Sequence, residues 1–247
     1  MIQLPSEPKV ISKTGSRAVF EIGPLYPGYG TTLGNTLRRV LISSLEGAAV
    51  TSVKIKGVDH EFSSISGVLE DVIEIVLNLK KVRFKLFRDE PVTVTLSVKG
   101  EKTVTAGDIE ATADIEIVNK DQYIATITDK KVELEMELTV EKGIGYVPVE
   151  QRQKEKLGVG KIAIDGIFTP IKNINFNVEN IRVGQRTDYN KVLLDVETDG
   201  SISPEEALKR ASQILIEHFN IIDRIEVPKE EARVEIKAKP KKKTKKE

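Results

Sequence analysis

The residues that could do chemistry in this 247-residue sequence are few: an adjacent arginine pair, Arg38-Arg39; three carboxylates at period two, Glu133, Glu135 and Glu137; and a glycine-spaced turn, Gly28-x-Gly30. Two neighbouring guanidinium groups can fork onto carboxylates or backbone carbonyls of a partner, or stand solvated on the polar flank of a helix. The three glutamates would share one face of a strand. No His or Asp pattern joins them, and solvated strand carboxylates are the commoner occurrence, so no metal site is assigned. Gly28-x-Gly30 lacks the third glycine of a dinucleotide loop, because Leu33 holds that place, and no βαβ unit surrounds it. Gly160-Lys161 fails as a phosphate loop: Glu155 stands where its first glycine belongs and Ile162 where Ser or Thr belongs. His60 and His218 are too few and too separated for a catalytic or zinc set. His60 reads as structural, and His218, on the apolar side of a helix, as a packed or interface histidine. The absence of cysteine excludes disulfides, thiolate nucleophiles and Cys-ligated zinc or iron–sulfur sites. No catalytic residues and no cofactor are expected in this chain.

The elements that position these residues follow from periodicity. Leu33, Leu37, Val40, Leu41, Ser44 and Leu45 form one apolar face of a helix carrying Arg38-Arg39 on its flank, with a glycine-rich run-in and Gly47 as a stop at positive φ. A second helix is expected over 67–79, with Val68, Val72, Ile75, Val76 and Leu79 on its face. Leu69, Ile73 and Leu77 widen that stripe, which predicts burial on two sides, under a sheet and against a neighbour. The last helix has the best-marked start: Ser203 as N-cap, Pro204 in the first position and Glu206 closing a capping box. Its apolar side runs Ala207, Leu208, Ala211, Ile214, Leu215, His218, Phe219 and Ile222. Strands are expected at 9–13, 16–23, 48–56, 83–87, 92–98, 115–117, 123–128, 132–140, 161–164, 173–183 and 191–197, with a polar loop at 150–160. The unbroken alternation at 132–140 is the clearest of them.

Charge narrows the partners. Residues 229–247 hold nine basic and four acidic side chains, leaving 29 basic and 34 acidic on the preceding 228 residues. A mildly acidic body does not suit a domain that grips a phosphate backbone. No apolar run approaches the roughly 18 residues of a membrane helix, and Met1 to Pro5 lacks the halves of a signal peptide. The expectation is a soluble, cytoplasmic protein that presents amphipathic helices to other proteins.

Several blocks then occur in order: Gly28-Tyr29-Gly30-Thr31-Thr32-Leu33-Gly34-Asn35-Thr36-Leu37-Arg38-Arg39-Val40-Leu41-Ile42-Ser43-Ser44, Asp59 to Ser63, Gly67 to Val72, Asn78-Leu79-Lys80, Gly143 to Pro148, Val183 to Asp188 and Asp199 to Ala207. Together they resemble the N-terminal assembly domain of bacterial RNA polymerase alpha subunits, over roughly residues 8–226. The resemblance implies an α+β fold in two domains. A discontinuous dimerisation domain of residues 1–46 and 172–228 carries the first and last helices, a mostly-β domain of residues 47–171 is inserted, and residues 229–247 are a disordered basic tail. It implies a homodimer, for which Leu37, Leu41 and Leu45 with Ile214, Leu215 and Phe219 are the candidate interface, though each could equally be intrachain core. One copy would receive the beta subunit and the other beta-prime. Arg38 and Arg39 map onto the family's arginine pair, Arg39 as a beta contact, and Lys80 onto a large-subunit surface.

The implied role is a non-catalytic subunit of a nucleotidyltransferase, and no dense aspartate cluster for two magnesium ions occurs here. Where the family continues through a linker into a small DNA-binding domain, this sequence ends in lysines, so that domain is expected to be missing. DNA would then be met indirectly through the complex, or nonspecifically through the tail, or the tail is simply solvated. The alternative is a free-standing dimeric interaction or nucleic-acid-binding protein of the same fold.

Overall fold

A computed structural model describes residues 2, 4–152, 158 and 160–225. The lysine tail, and most of the loop expected at 150–160, lie outside the described residues. The chain opens with the hairpin of β1 (Lys9–Thr14) and β2 (Arg17–Leu25), followed by α1 (Tyr29–Ser43), β3 (Glu46–Ile55) and α2 (Val72–Leu79). Short strands follow: β4 (Phe84–Leu86), β5 (Val92–Lys99), β6 (Lys102–Thr105), β7 (Ile109–Glu110), β8 (Ile115–Ile117) and β9 (Tyr123–Ile127). Then come β10 (Glu133–Ile144), β11 (Tyr146–Val147), the one-turn α3 (Val149–Arg152), β12 (Lys161–Ala163) and β13 (Gly166–Ile167). The long hairpin of β14 (Ile171–Val183) and β15 (Arg186–Thr198) leads into α4 (Pro204–Ile222).

Two sheets divide the work. One, in the order β1-β2-β15-β14, is antiparallel and joins the two ends of the chain. Its core combines Ala18, Phe20, Leu194 and Val196 from the strands with Leu37, Leu41, Leu45, Ala207, Leu208 and Ala211 from α1 and α4. The other runs β7-β5-β10-β3-β4-β8, with β12 beside β3. Its core draws only on residues between Ala48 and Ile164. The result is an α+β fold in which a strand-rich unit interrupts one built from both termini.

Alternation sets the second sheet. Leu134, Met136, Leu138 and Val140 turn inward from β10, opposite Val98, Leu96, Val94 and Val92 of β5. Such facing apolar pairs stabilise a sheet beyond simple area burial. Eight residues make α2 too short to stand alone. Val72, Ile75 and Leu79 are wholly buried, and each contributes roughly 1.5–3 kcal/mol of burial, so the core holds this helix rather than its own propensity.

Three local expectations change. The second helix starts at Val72, not at residue 67, with Asp71 as N-cap accepting from the Glu74 N–H at 2.7 Å. The residues before it are drawn to β9 instead. The Leu69 N–H donates to the Thr126 carbonyl, and the buried Glu70 carboxylate accepts from the Thr126 N–H at 2.7 Å and from the Tyr123 hydroxyl. At α4, Ser203 accepts from the Glu206 N–H and Pro204 follows as expected, but the Glu206 carboxylate turns to Arg210, so only half of the capping box forms. Gly47 does not end α1 at positive φ. Ser44 is the C-cap, and Gly47 lies inside β3.

The physical reason for Gly47 is steric. A Cβ on it would sit 2.0 Å from the Phe168 carbonyl oxygen, and backbone cannot move aside. Gly47→Ala is therefore expected to cost about 2 kcal/mol, within the range for overpacking a close contact, read as a lower urea midpoint with unchanged m-value.

Candidate functional site

α1 is seated by small residues. A Cβ on Gly30 would lie 2.6 Å from Val178 Cγ1, and one on Gly34 would lie 2.5 Å from the Phe176 ring. The helix therefore rests directly on β14. Its first N–H groups have no partner within the helix. Asn190 of β15 supplies one: its Oδ1 accepts from the Gly30 N–H at 3.4 Å and from the Gly28 N–H just before the helix at 2.8 Å, while its Nδ2 donates to Asn180 at 3.0 Å.

With that face down, the arginines separate. Arg38 is half-buried and donates to Asn35 Oδ1 at 3.1 Å. Arg39 is exposed, and its guanidinium meets no acceptor among the described residues. Only Arg39 is left presented for a partner.

The six candidate interface residues divide into two groups. Leu37, Leu41 and Leu45 are 8%, 0% and 2% exposed and lie in the protomer's own core, so they leave almost no area for a second copy. Their period-four spacing could not distinguish these two uses. Ile214 and Leu215 are half-buried against the same core, and Phe219 is 60% exposed. From Ile216 to Ile225 every residue is exposed, including Ile216, Phe219, Ile221, Ile222 and Ile225. The second half of α4 thus carries an apolar surface that no described residue covers. His218 stands in this stretch, exposed rather than packed, its Nδ1 donating to the Ile214 carbonyl at 2.8 Å. Ile216 and Ile221 were missed in the sequence because they lie off the 3–4 stripe, and Ile225 because it follows the end of the helix.

Lys80 lies elsewhere, at the end of α2. Its Nζ is 2.7 Å from Asp165 Oδ2, and Asp165 Oδ1 accepts from the Val149 N–H at 3.0 Å. Lys80 therefore ties α2 to the start of α3 and is no free charge; Asp165 carried no sequence signal. The Lys80 ammonium and then the Val149 N–H hold the Asp165 carboxyl below its ordinary value. The pair borders an open hollow of about 600 Å³ that Phe62, Ile73 and Leu77 also line. Leu69, Ile73 and Leu77 are 71%, 38% and 50% exposed, so no described residue covers the widened side of the α2 stripe. His60 borders the hollow from its loop, bonded through Nδ1 to the Ser63 hydroxyl.

The three period-two glutamates are met by cations or hydroxyls across the sheet. Glu135 pairs with Lys56 at 2.8 Å, Glu137 faces Lys54, and Glu133 accepts from Ser97 and faces Lys99. No group of His, Cys, Asp and Glu spaced to hold a metal occurs among the described residues, nor is any described helix long and apolar enough to cross a membrane.

Residues 53–169 match the family model described as the RNA polymerase Rpb3/RpoA insert domain. Over most of its length the chain is similar to proteins named DNA-directed RNA polymerase subunit alpha. That of Alkaliphilus oremlandii is 51% identical over 226 residues, 90% of this chain and 71% of the relative. That of Moorella thermoacetica is 54% identical over 202 residues, 82% and 64%, and that of Flavobacterium psychrophilum 48% over 220 residues, 88% and 66%. The chain thus spans about two thirds of the length of the curated relatives it matches.

The Lys80–Asp165 pair has a pH signature. A carboxyl held low in the folded state contributes stability above its unfolded value, lost as pH falls through the lowered folded one. By carboxylate NMR, Asp165 is expected to titrate below the ordinary 3.8 and to move upward in Lys80→Met. The acid-side loss of stability should shrink accordingly in that variant.

Proposed function

The chain belongs to the family of DNA-directed RNA polymerase alpha subunits, and on that premise we propose that it acts as a homodimeric scaffold on which the beta and beta-prime subunits assemble. The uncovered apolar half of α4 is the observation that carries this reading. An exposed apolar run of this kind marks a protein–protein contact, and a two-fold pairing lets one such surface cover its own copy. In the dimer, Phe219, Ile222 and Ile225 of one protomer pack against α1 and α4 of the other, with Ile214 and Leu215 at the margin. Ile42, the exposed apolar residue of α1, belongs to the same contact.

The large subunits take the remaining surfaces. Arg39 offers a bidentate donor for a carboxylate or carbonyl of the beta subunit. The hollow beside Lys80, with Ile73, Leu77 and Phe62, offers the apolar part of a large-subunit contact, and Lys80 shapes it through Asp165. Arg38 supports α1 through Asn35 rather than reaching a partner. In this reading the boundaries of the dimerisation and inserted domains fall at 46/47 and 171/172, with Ile171 itself packed into the core of the unit built from both termini. Nucleotidyl transfer is carried out by other subunits in the cytoplasm, and DNA is reached through the complex. A free-standing module of the same fold is not favoured by identities near one half to named alpha subunits.

Charge reversal at an exposed, unpartnered side chain tests the contact without disturbing the core. Arg39→Glu is expected to leave the dimer mass by light scattering and the melting temperature unchanged while co-purification with the beta subunit is lost. A variant that unfolds or becomes monomeric would make Arg39 structural.

A further inference from the structure

Two backbone crossings join the units of the fold: the start of β3, and the segment from Phe168 to Ile171. They touch each other where Gly47 meets Phe168. Two crossings at one place leave rotation about that point open, and the seam beside them is not filled: a hollow of about 360 Å³ opens between Phe84, Leu86 and Lys142 on one side and Ile202, Glu206 and Arg210 on the other.

Among the described residues, one charged contact closes the seam. Arg83, just before β4, places Nε 3.8 Å from Asp199 Oδ2 at the end of β15, with the two side chains 19% and 7% exposed. Both ends are anchored. The Arg83 N–H donates to Asn119 at 2.7 Å and its Nη1 to the Ile167 carbonyl at 3.4 Å. Asp199 accepts from the Ser201 N–H at 2.9 Å and from the Ser201 hydroxyl, and its own N–H donates to the Pro170 carbonyl at 2.9 Å. Gly200, at φ 93°, presses close enough to Val118 that a Cβ there would lie 3.0 Å away. Ser203, the N-cap of α4, follows within four residues.

We infer that Arg83 and Asp199 are positioning residues, which hold the inserted unit at one angle to the unit bearing α1 and α4. This rests on the assembly reading. A large subunit that contacts both Arg39 and the hollow beside Lys80 needs those surfaces in fixed relation. Freed of the pair, the inserted unit samples other angles, and each partner must first select the competent one. Both side chains are largely withdrawn from water, and removing one leaves the other charge without its counter-ion, so either single substitution loosens the seam.

The test uses the absence of native cysteine. Spin labels on Gln185→Cys and Glu101→Cys, both exposed, report the angle between the units in labelled chains diluted into unlabelled dimer. The unsubstituted protein is expected to give one narrow distance distribution. Arg83→Met and Asp199→Asn, the latter keeping the acceptor for Ser201, should at least double its width, with Arg83→Lys intermediate and cooperative melting retained in all three. If the competent angle drops to about a tenth of the population, the apparent Kd for the beta subunit rises about tenfold. An unchanged width overturns the inference, and so does a broadened width with unchanged beta affinity. Failure of the unsubstituted chain to bind beta would bring down the assembly reading and the positioning role with it, while the widths still report independently whether the pair sets the angle.

Discussion

The seating of α1 on β14 is the constraint from which the functional surface follows. Gly30 and Gly34 let the helix axis come within contact of Phe176 and Val178, closer than any side chain would permit. That contact fixes the rotation of the helix. Once the glycine face is down, Leu37, Leu41 and Leu45 fall into the core between the helices and the sheet, and Arg39 can only face out. Asn190 reinforces the placement from β15 by accepting from the N–H groups of Gly28, the N-cap, and Gly30, in the first turn of α1. The helix end is capped by a residue 162 positions away, so α1 is held at this angle only in the finished fold.

Charges sort into those the chain neutralises and those it leaves over. Lys80 has Asp165, Glu135 has Lys56, Lys13 has Glu205 and Arg17 has Asp195. Most of these pairs are well exposed, and exposed pairs contribute little stability. Their effect is on recognition: a cation that already holds a carboxylate must break that bond before it can meet a partner's. Arg39 has no such bond to break.

Apolar surface sorts in the same way. The two cores cover the inward stripes of α1 and α2 and the first half of α4. Among the described residues, apolar side chains stay exposed at the end of α4, beside α2 at Leu69, Ile73 and Leu77, and in smaller sets such as Val10 with Ile11 and Ile144 with Tyr146. The first two patches suit a protein that must meet a copy of itself and a different, larger neighbour at once.

Much of this was legible along the chain. Period two at 132–140, the stripes of the helices, the Ser203-Pro204 start and the wide face of α2 each rest on local spacing, and spacing is a property of sequence. The order of the motif blocks likewise carried the family. Other features depended on which residues meet. Residues 67–71 have helical periodicity but are claimed by β9 through Glu70 and Thr126. Gly47 has the look of a helix stop but is required by the Phe168 carbonyl. A leucine at period four looks the same whether its own sheet or another molecule covers it, and a lysine the same whether or not Asp165 lies opposite. The sequence by itself determined which faces are apolar and, at the Ser203-Pro204 start of α4, where an element begins. Only the tertiary structure decided which of those faces the chain spends on itself, because burial and charge pairing are set by contacts between residues far apart in the chain.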